Sequence, residues 1–400
     1  MMKPLAVPLL ALSLFTVTFA VNLQAPLYET YAAGSGRGAM AVTIGFAAYV
    51  AGLMPTLVLL GGLSDRVGRR GPIALALCLG GVATGILVVW PGWSSLVVAR
   101  VLLGVGTALA TTAGTAYMAE IMGEARAGRA ALVVTSATSL GFGGGALATG
   151  ISLGVQGATL LPASYVALFL AVPGLVLGVL ALPRVDRPRA VSPLRLPVFA
   201  RGTWVYGVAM ALAWSTTGMV IAVVPLELGA RGLGGWGGLV IFLAIFIGFL
   251  CQPLARRMGP GRALALGFLC VPMGFAVLLW GVWLGLLWPV LAGACLTSAA
   301  SYGFTYLAAL AEVSRAAPEE RARAVAGLFV YAYVGFALPV MASGALAERV
   351  GLPEAMAGFA MAQAAATLIT ALLWARRSGA RQAGIRRFSY PRWRRPLPWR

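Results

Sequence analysis

A chain of 400 residues that is 60% hydrophobic and 10% charged, with a mean hydropathy of +0.90, is too apolar for a water-soluble domain. Its apolar runs are of the order of 20 residues rather than short alternating segments, which excludes a β-barrel and points to an all-α polytopic membrane protein. The net charge of +19 would suggest nucleic acid in a soluble chain, but all but four of the 30 Lys and Arg share one side if the termini and residues 61–71 lie together. Arg37, Arg231 and Arg349 fall in the opposite loops and Arg100 lies inside a span. This positive-inside bias puts both termini in the cytoplasm of a multi-pass protein of the cytoplasmic membrane, and no nucleic acid partner is expected. Cys78, Cys251, Cys270 and Cys295 each sit in an apolar run without a C-x-x-C pair, and histidine is absent. The chain therefore offers no enzymatic constellation, and neither a metal nor another cofactor is expected.

In chain order, residues 5–28 read as a retained first helix, since the run is long for a cleaved signal and carries Asn22, Gln24 and Pro26. Beyond Gly34–Gly38 a second run (39–63) ends in Gly61-Gly-Leu-Ser-Asp-Arg-Val-Gly-Arg-Arg-Gly71, a tight charged turn, and a third run (72–90) follows. Pro91–Ser95 is a minimal turn, with Trp90 and Trp93 at interface depth. The fourth run (94–118) carries Arg100, Gly104 and Gly106. A cation there must face protein or water, or snorkel to the near interface. Glu120 to Arg129 form the next loop. The fifth run (130–156) holds Gly141 and Gly145, a G-x-x-x-G face for close helix packing, and the sixth covers 161–182.

Residues 184–202, with Arg184, Arg187, Arg189, Arg195 and Arg201 among Pro188, Pro193 and Pro197, read as an extended linker. It divides the chain into 1–183 and 203–375, followed by a basic tail over 376–400. The second part repeats the first weakly: Leu254 to Arg262 stand where Leu63 to Gly71 would, Glu312 answers Glu120, and Gly335-Phe336 answer Gly141-Phe142. Arg256 takes the place of Asp65. Helices are expected near 203–228, 236–254, 263–284, 287–312, 324–347 and 355–375.

The 61–71 string resembles the G-x-x-x-D-R-x-G-R-R signature of major facilitator superfamily transporters, with Gly61, Asp65, Arg66, Gly68, Arg69 and Arg70 matching. Arg100 to Gly106 resemble that family's fourth-helix R-x-x-x-G-x-G motif, to which proton handling is attributed. The fifth run matches the antiporters' G-x-x-x-G-P-x-x-G-G only in part, with Ala146 for the proline and Thr149 for a glycine. The resemblance covers nearly the whole chain and is nearest the drug and metabolite efflux members. It implies twelve transmembrane helices in two pseudo-symmetric six-helix bundles, monomeric, moving a small molecule by alternating access. Proton-coupled efflux is the first expectation and uptake of a sugar or small organic acid the second.

It also implies a substrate site near the midplane, where Asn22, Thr107, Thr111, Trp214, Thr216, Ser301, Tyr302 and Tyr306 are the candidates. Arg100, Glu29 and Glu227 are the coupling candidates. Asp65 and its arginines are expected to latch the halves through the N-terminus of the eleventh helix near Ala324, with Glu120 and Arg126 exchanging partners. The nine arginines of the tail, interleaved with Phe388, Tyr390, Trp393 and Trp399, suit anionic lipid headgroups.

Overall fold

Twelve helices among the described residues are long and apolar enough to cross a membrane. They are seen in a computed structural model that describes residues 3–36, 38–184, 192 and 194–388, without a strand among them. The first six are α1 (Lys3–Asn22), α2 (Gly38–Leu60), α3 (Arg70–Val89), α4 (Trp93–Met122), α5 (Ala127–Gln156) and α6 (Ala163–Ala181). The second six are α7 (Trp204–Ala222), α8 (Gly237–Met258), α9 (Pro260–Leu284), α10 (Leu287–Ala316), α11 (Arg321–Val350) and α12 (Leu352–Phe388). The chain is an all-α membrane protein of two pseudo-symmetric six-helix bundles. Residues 389–400, with Tyr390, Trp393 and Trp399, lie outside the described residues.

The first run is not one helix to residue 28. It stops at Asn22, and the chain continues through a one-turn 3-10 segment, Ala25–Leu27, into a short helix, Tyr28–Ala32. Pro26, at the start of the 3-10 turn, cannot donate to a continuing helix. The seventh run divides the same way, into α7 and a short helix Val224–Ala230 led by Pro225. The internal repeat is written into the backbone as well. Gly68 (φ 91°, ψ 165°) ends the short helix of the first hairpin, and Gly259 (φ 79°, ψ 160°) ends α8 at the equivalent place. A left-handed φ of this kind suits glycine alone, so the weakly matching strings fold into one turn geometry.

Helices approach closely where small residues allow it. A side chain at Gly141 or Gly145 would meet the backbone carbonyls of Phe15 and Phe19, which fixes α5 against α1. Gly104 does the same for α4 against Tyr49 of α2.

The two bundles share one face and part at the other. On the face opposite the 61–71 hairpin, Gly238 of α8 lies on Ala146 and Gly150 of α5. There too Gly344 of α11 lies on Thr43 of α2, and the Phe46 and Phe336 rings stand 4.7 Å apart at greater depth. The principal core joins both bundles there, from Phe46 and Leu96 to Val220 and Ile241, and continues within the second bundle to Val313, Ala324 and Leu328. Toward the hairpin face each bundle keeps its own additional core: Leu10, Leu77 and Tyr117 in the first, Leu264, Phe268 and Ala308 in the second. A pair of bundles that is packed at one end and separately cored at the other can rock about the packed end.

Gly145→Val places a side chain against the Phe19 carbonyl and should lower stability by about 1–3 kcal/mol. Gly154→Ala, on the same helix with open space around it, should leave the melting temperature unchanged. Thermal unfolding of the detergent-purified variants measures both.

Candidate functional site: a charged latch, a caged arginine and an aromatic interior

The 61–71 hairpin forms a five-residue helix, Leu63–Val67, that presents Asp65 to two arginines. Arg69 bonds Asp65 at 2.5 Å and Glu120 of α4 at 2.7 Å, and it also donates to Ser64 at 2.8 Å. The second Asp65 oxygen accepts from Arg195 of the linker at 2.5 Å. Burial alone would push the Asp65 carboxyl up, but the hydrogen bonds and charges of Arg69 and Arg195 outweigh it and hold the carboxyl below its usual range. For Arg69, burial works against the charged form, and Glu120 and Asp65 more than restore it. Arg70 turns away to donate to the carbonyls of Leu180 and Leu182 at the end of α6, at 2.6 and 2.7 Å.

The linker beyond this point is a strap between the halves. The Arg195 amide donates to the Val58 carbonyl of α2 at 2.8 Å, and Gly61 leaves room for the Arg195 side chain. Three residues on, the Val198 amide donates to the Arg323 carbonyl at 3.0 Å, and Arg323 Nε returns a bond to the Leu196 carbonyl at 3.1 Å. Phe199 packs edge-on against Tyr331, 5.7 Å away, and Val198 fills the space over Gly327 of α11.

Asp65 therefore reaches α11 through Arg195 and the strap, not through the helix N-terminus. The Ala324 amide is already bonded to the Glu320 carbonyl at 2.9 Å. Glu120 belongs to the network, whereas Arg66 and Arg126 are exposed and outside it.

Arg100 is 1% exposed, so it does not snorkel. Its guanidinium donates to the Val21 carbonyl at 2.7 Å and the Phe46 carbonyl at 3.2 Å, and lies over the rings of Tyr49, Phe46 and Tyr28 at 4.7, 5.6 and 5.7 Å. Val21 is in the last turn of α1, where helix carbonyls lack partners and the dipole is negative. The cation is thus stabilised by carbonyls and ring faces, joining α1, α2 and α4, with no carboxylate in contact. Glu227 is 4% exposed and paired with Arg231 at 2.9 Å, and Glu29 is exposed beside Gly229.

Several of the polar residues expected to line a substrate site donate to backbone carbonyls. Asn22 donates to the Phe142 carbonyl at 2.8 Å, Ser301 to the Ala213 carbonyl at 2.8 Å, and Thr107 and Thr216 bond their own helices. Thr111 is half-buried and likewise bonds back to the Thr107 carbonyl. Trp214, Tyr302 and Tyr306 form one aromatic group with residues the spacing did not single out: Phe329, Tyr333 and Phe336, at i, i+4 and i+7 on α11. That stripe is legible as a helix face. Arg195 carries no comparable signal, because its partner lies 130 positions away.

A family model described as Major Facilitator Superfamily matches residues 10–338. An uncharacterized MFS-type transporter, YhhS of Escherichia coli (strain K12), is 29% identical over 221 residues, which are 51% of this chain and 53% of that protein. Its Shigella flexneri counterpart matches equally. The chain thus spans about half the length of the curated relatives it matches. Among solved structures, the inward open xylose transporter XylE from E. coli superposes with a TM-score of 0.70 at 14% identity, covering 92% of this chain and 95% of that one. The nucleoside transporter NupG does so with a TM-score of 0.68 at 14% identity, covering 90% and 99%. A bacterial homologue of the human lysosomal transporter Spinster, inward-facing and unoccupied, gives 0.65 at 16% identity over 92% and 95%. At these identities the structures speak to fold alone.

The strap makes a specific expectation for Asp65 and Arg195. Asp65→Asn and Arg195→Ala should each broaden spin-label distances between the hairpin-face ends of α4 and α10. The double variant should add nothing beyond Asp65→Asn, since Arg195 acts through its bond to Asp65. Because the Asp65 carboxyl is held below its usual range by Arg69 and Arg195, the latch should persist at neutral and mildly acidic pH. It should loosen only at a pH acidic enough to protonate that lowered carboxyl. Additive broadening by the two substitutions would separate Arg195 from the latch.

Proposed function

The chain belongs to the Major Facilitator Superfamily, a family of transporters, and we propose that it exports a drug-like or metabolite small molecule across the cytoplasmic membrane by alternating access. One observation carries the mechanism: the bundles are packed together at one face and tied at the other by a strap anchored in a charged network. Each ion pair of that network is partly wet, worth about 1–3 kcal/mol as a charge-assisted hydrogen bond. Energies of that size separate conformations that interconvert, whereas a deeper latch would hold one state.

On the positive-inside reading the hairpin face is cytoplasmic, both termini lie inside, and the captured state is closed to the outside. Export follows if a substrate enters from the cytoplasm or inner leaflet, meets the aromatic group between α7, α10 and α11, and leaves when the packed face opens. The apolar, ring-rich interior supports a drug-like or metabolite cargo over a sugar, whose many hydroxyls need as many fixed polar partners. Uptake of a sugar or small organic acid is the second reading.

Protons are the proposed coupling ion. Glu29 and Glu227 flank the packed face, and opening it would bring water to Glu227, now buried in its pair with Arg231, and offer a carboxylate to protonate. Arg100 couples by position: its cage of α1, α2 and α4 backbones deforms if α1 moves. The protein is proposed to act as a monomer, with the basic tail on anionic lipid headgroups.

Everted membrane vesicles turn export into uptake. Vesicles carrying the protein should accumulate at least one member of a labelled aromatic metabolite and drug panel, on imposing a proton gradient and not in empty-vector vesicles. Asp65→Asn should slow that accumulation about tenfold with a smaller change in half-saturation, the loss expected from one such ion pair. Accumulation confined to right-side-out vesicles would reverse the direction.

A further inference from the structure

Tyr302 and Tyr306 of α10 and Tyr333 of α11 gather with Trp214, Phe329 and Phe336 where the bundles part, and Phe336 meets Phe46 of α2 at 4.7 Å, one turn from Tyr49 on that helix. Beside them Trp214 is 7% exposed, edge-on to Tyr333 at 5.3 Å and tilted to Tyr302 at 5.4 Å. Its indole N–H has no hydrogen-bond partner among the described residues. A buried donor left unpaired in this way costs free energy unless something else accepts from it.

The backbone beneath is also unusual. Ala299–Thr305 is a π-helical segment inside α10, a feature that concentrates at functional sites, and it carries Tyr302 and leads directly into Tyr306. Tyr302, Tyr306 and Tyr333 are half-buried although they lie deep in the bundle pair, so they border space as well as packed neighbours.

The charges around this group are of one sign. Arg100 acts on Tyr49, and Arg256, on α8 toward the hairpin face, acts on Tyr306. Every described carboxylate lies within two turns of a helix end or in a loop. A cation placed among the tyrosines would meet two arginines and no counter-charge. An anion would find neither arginine free within the group: the Arg100 guanidinium is enclosed by carbonyls and rings, and Arg256 is exposed in the last turn of α8, toward the hairpin face. Flat aromatic surfaces, several hydroxyls and an unpaired N–H remain.

We propose that Tyr49, Trp214, Tyr302, Tyr306 and Tyr333 form a site, shared between the halves, for an uncharged planar aromatic molecule with a hydrogen-bonding edge, such as a phenol or a neutral heteroaromatic. The inference rests on the transporter reading and names its substrate class. The ligand's ring stacks against the phenols, which favour offset or edge-on contact. Its polar edge satisfies the indole N–H and a tyrosine hydroxyl, so an analogue lacking that edge leaves buried groups unpaired and is rejected. Since Tyr49 comes from one bundle and the rest from the other, an occupied site is sensitive to how the halves are set.

The test is equilibrium binding to the full-length protein in nanodiscs, with empty nanodiscs subtracted, of three probes that share one ring system. They are β-naphthol, β-naphthyltrimethylammonium and naphthalene-β-sulfonate, at neutral pH where the first is uncharged. β-Naphthol should bind saturably and most tightly, and Tyr333→Phe and Trp214→Phe should each weaken it about fivefold, the worth of one hydrogen bond. Should Trp214→Phe fail to fold, Tyr302→Phe takes its place. Binding of the ammonium or the sulfonate as tightly as the naphthol, absence of saturable naphthol binding, or variants that bind it unchanged would each overturn the assignment. Vesicle transport is read separately: export that persists without naphthol binding removes the ligand class alone, and naphthol binding without export removes the transporter reading.

Discussion

The ion-pair network at Asp65 is the constraint on which the hairpin face is built. One carboxylate holds Arg69 and Arg195 at once, and Arg69 in turn holds Glu120, so the α2–α3 turn, the end of α4 and the linker meet in a single cluster. In a chain with so few charges this concentration has a physical purpose. The pairs are half-buried, so they are neither fully screened by water nor burdened with the full cost of desolvation. The strap carries the effect across the gap, because Arg195 and Val198 are only three residues apart yet are bonded to different halves.

Arg100 solves a different problem. A guanidinium in the bilayer interior demands compensation, and here it comes from the exposed carbonyls at the end of α1, one carbonyl of α2 and three aromatic faces. Gly104, one turn along α4, admits the α2 backbone and sets the distance at which the cage closes. The arginine and the glycine of that stretch are thus parts of one packing arrangement, in which charge and close approach depend on each other.

The interior shows a division of labour among polar residues. Serines and threonines there mostly return their hydroxyls to helix carbonyls, as expected where water cannot satisfy them. Aromatic side chains supply the surface that remains. The π segment of α10 and the Phe329, Tyr333 and Phe336 stripe of α11 gather these rings around Trp214.

The sequence by itself determined the twelve helices, the side on which the basic residues gather and the two-fold repeat, because run length, charge placement and motif order are local properties of a chain meeting a bilayer. It located Asp65, Arg69, Glu120 and Arg100 for the same reason: an ionised group in so apolar a chain stands out. Tertiary structure alone decided their partners. Arg195 looked like one of several linker cations until folding brought it to Asp65. Arg100 could have snorkelled until the ends of α1 and α2 closed over it. Asn22, Thr107, Thr216 and Ser301 are indistinguishable in sequence from substrate contacts, since a hydroxyl or amide that bonds a carbonyl is the same residue as one that bonds a ligand. Whether it meets a ligand besides depends on which helix face lies opposite, and that is fixed only when the bundles pack.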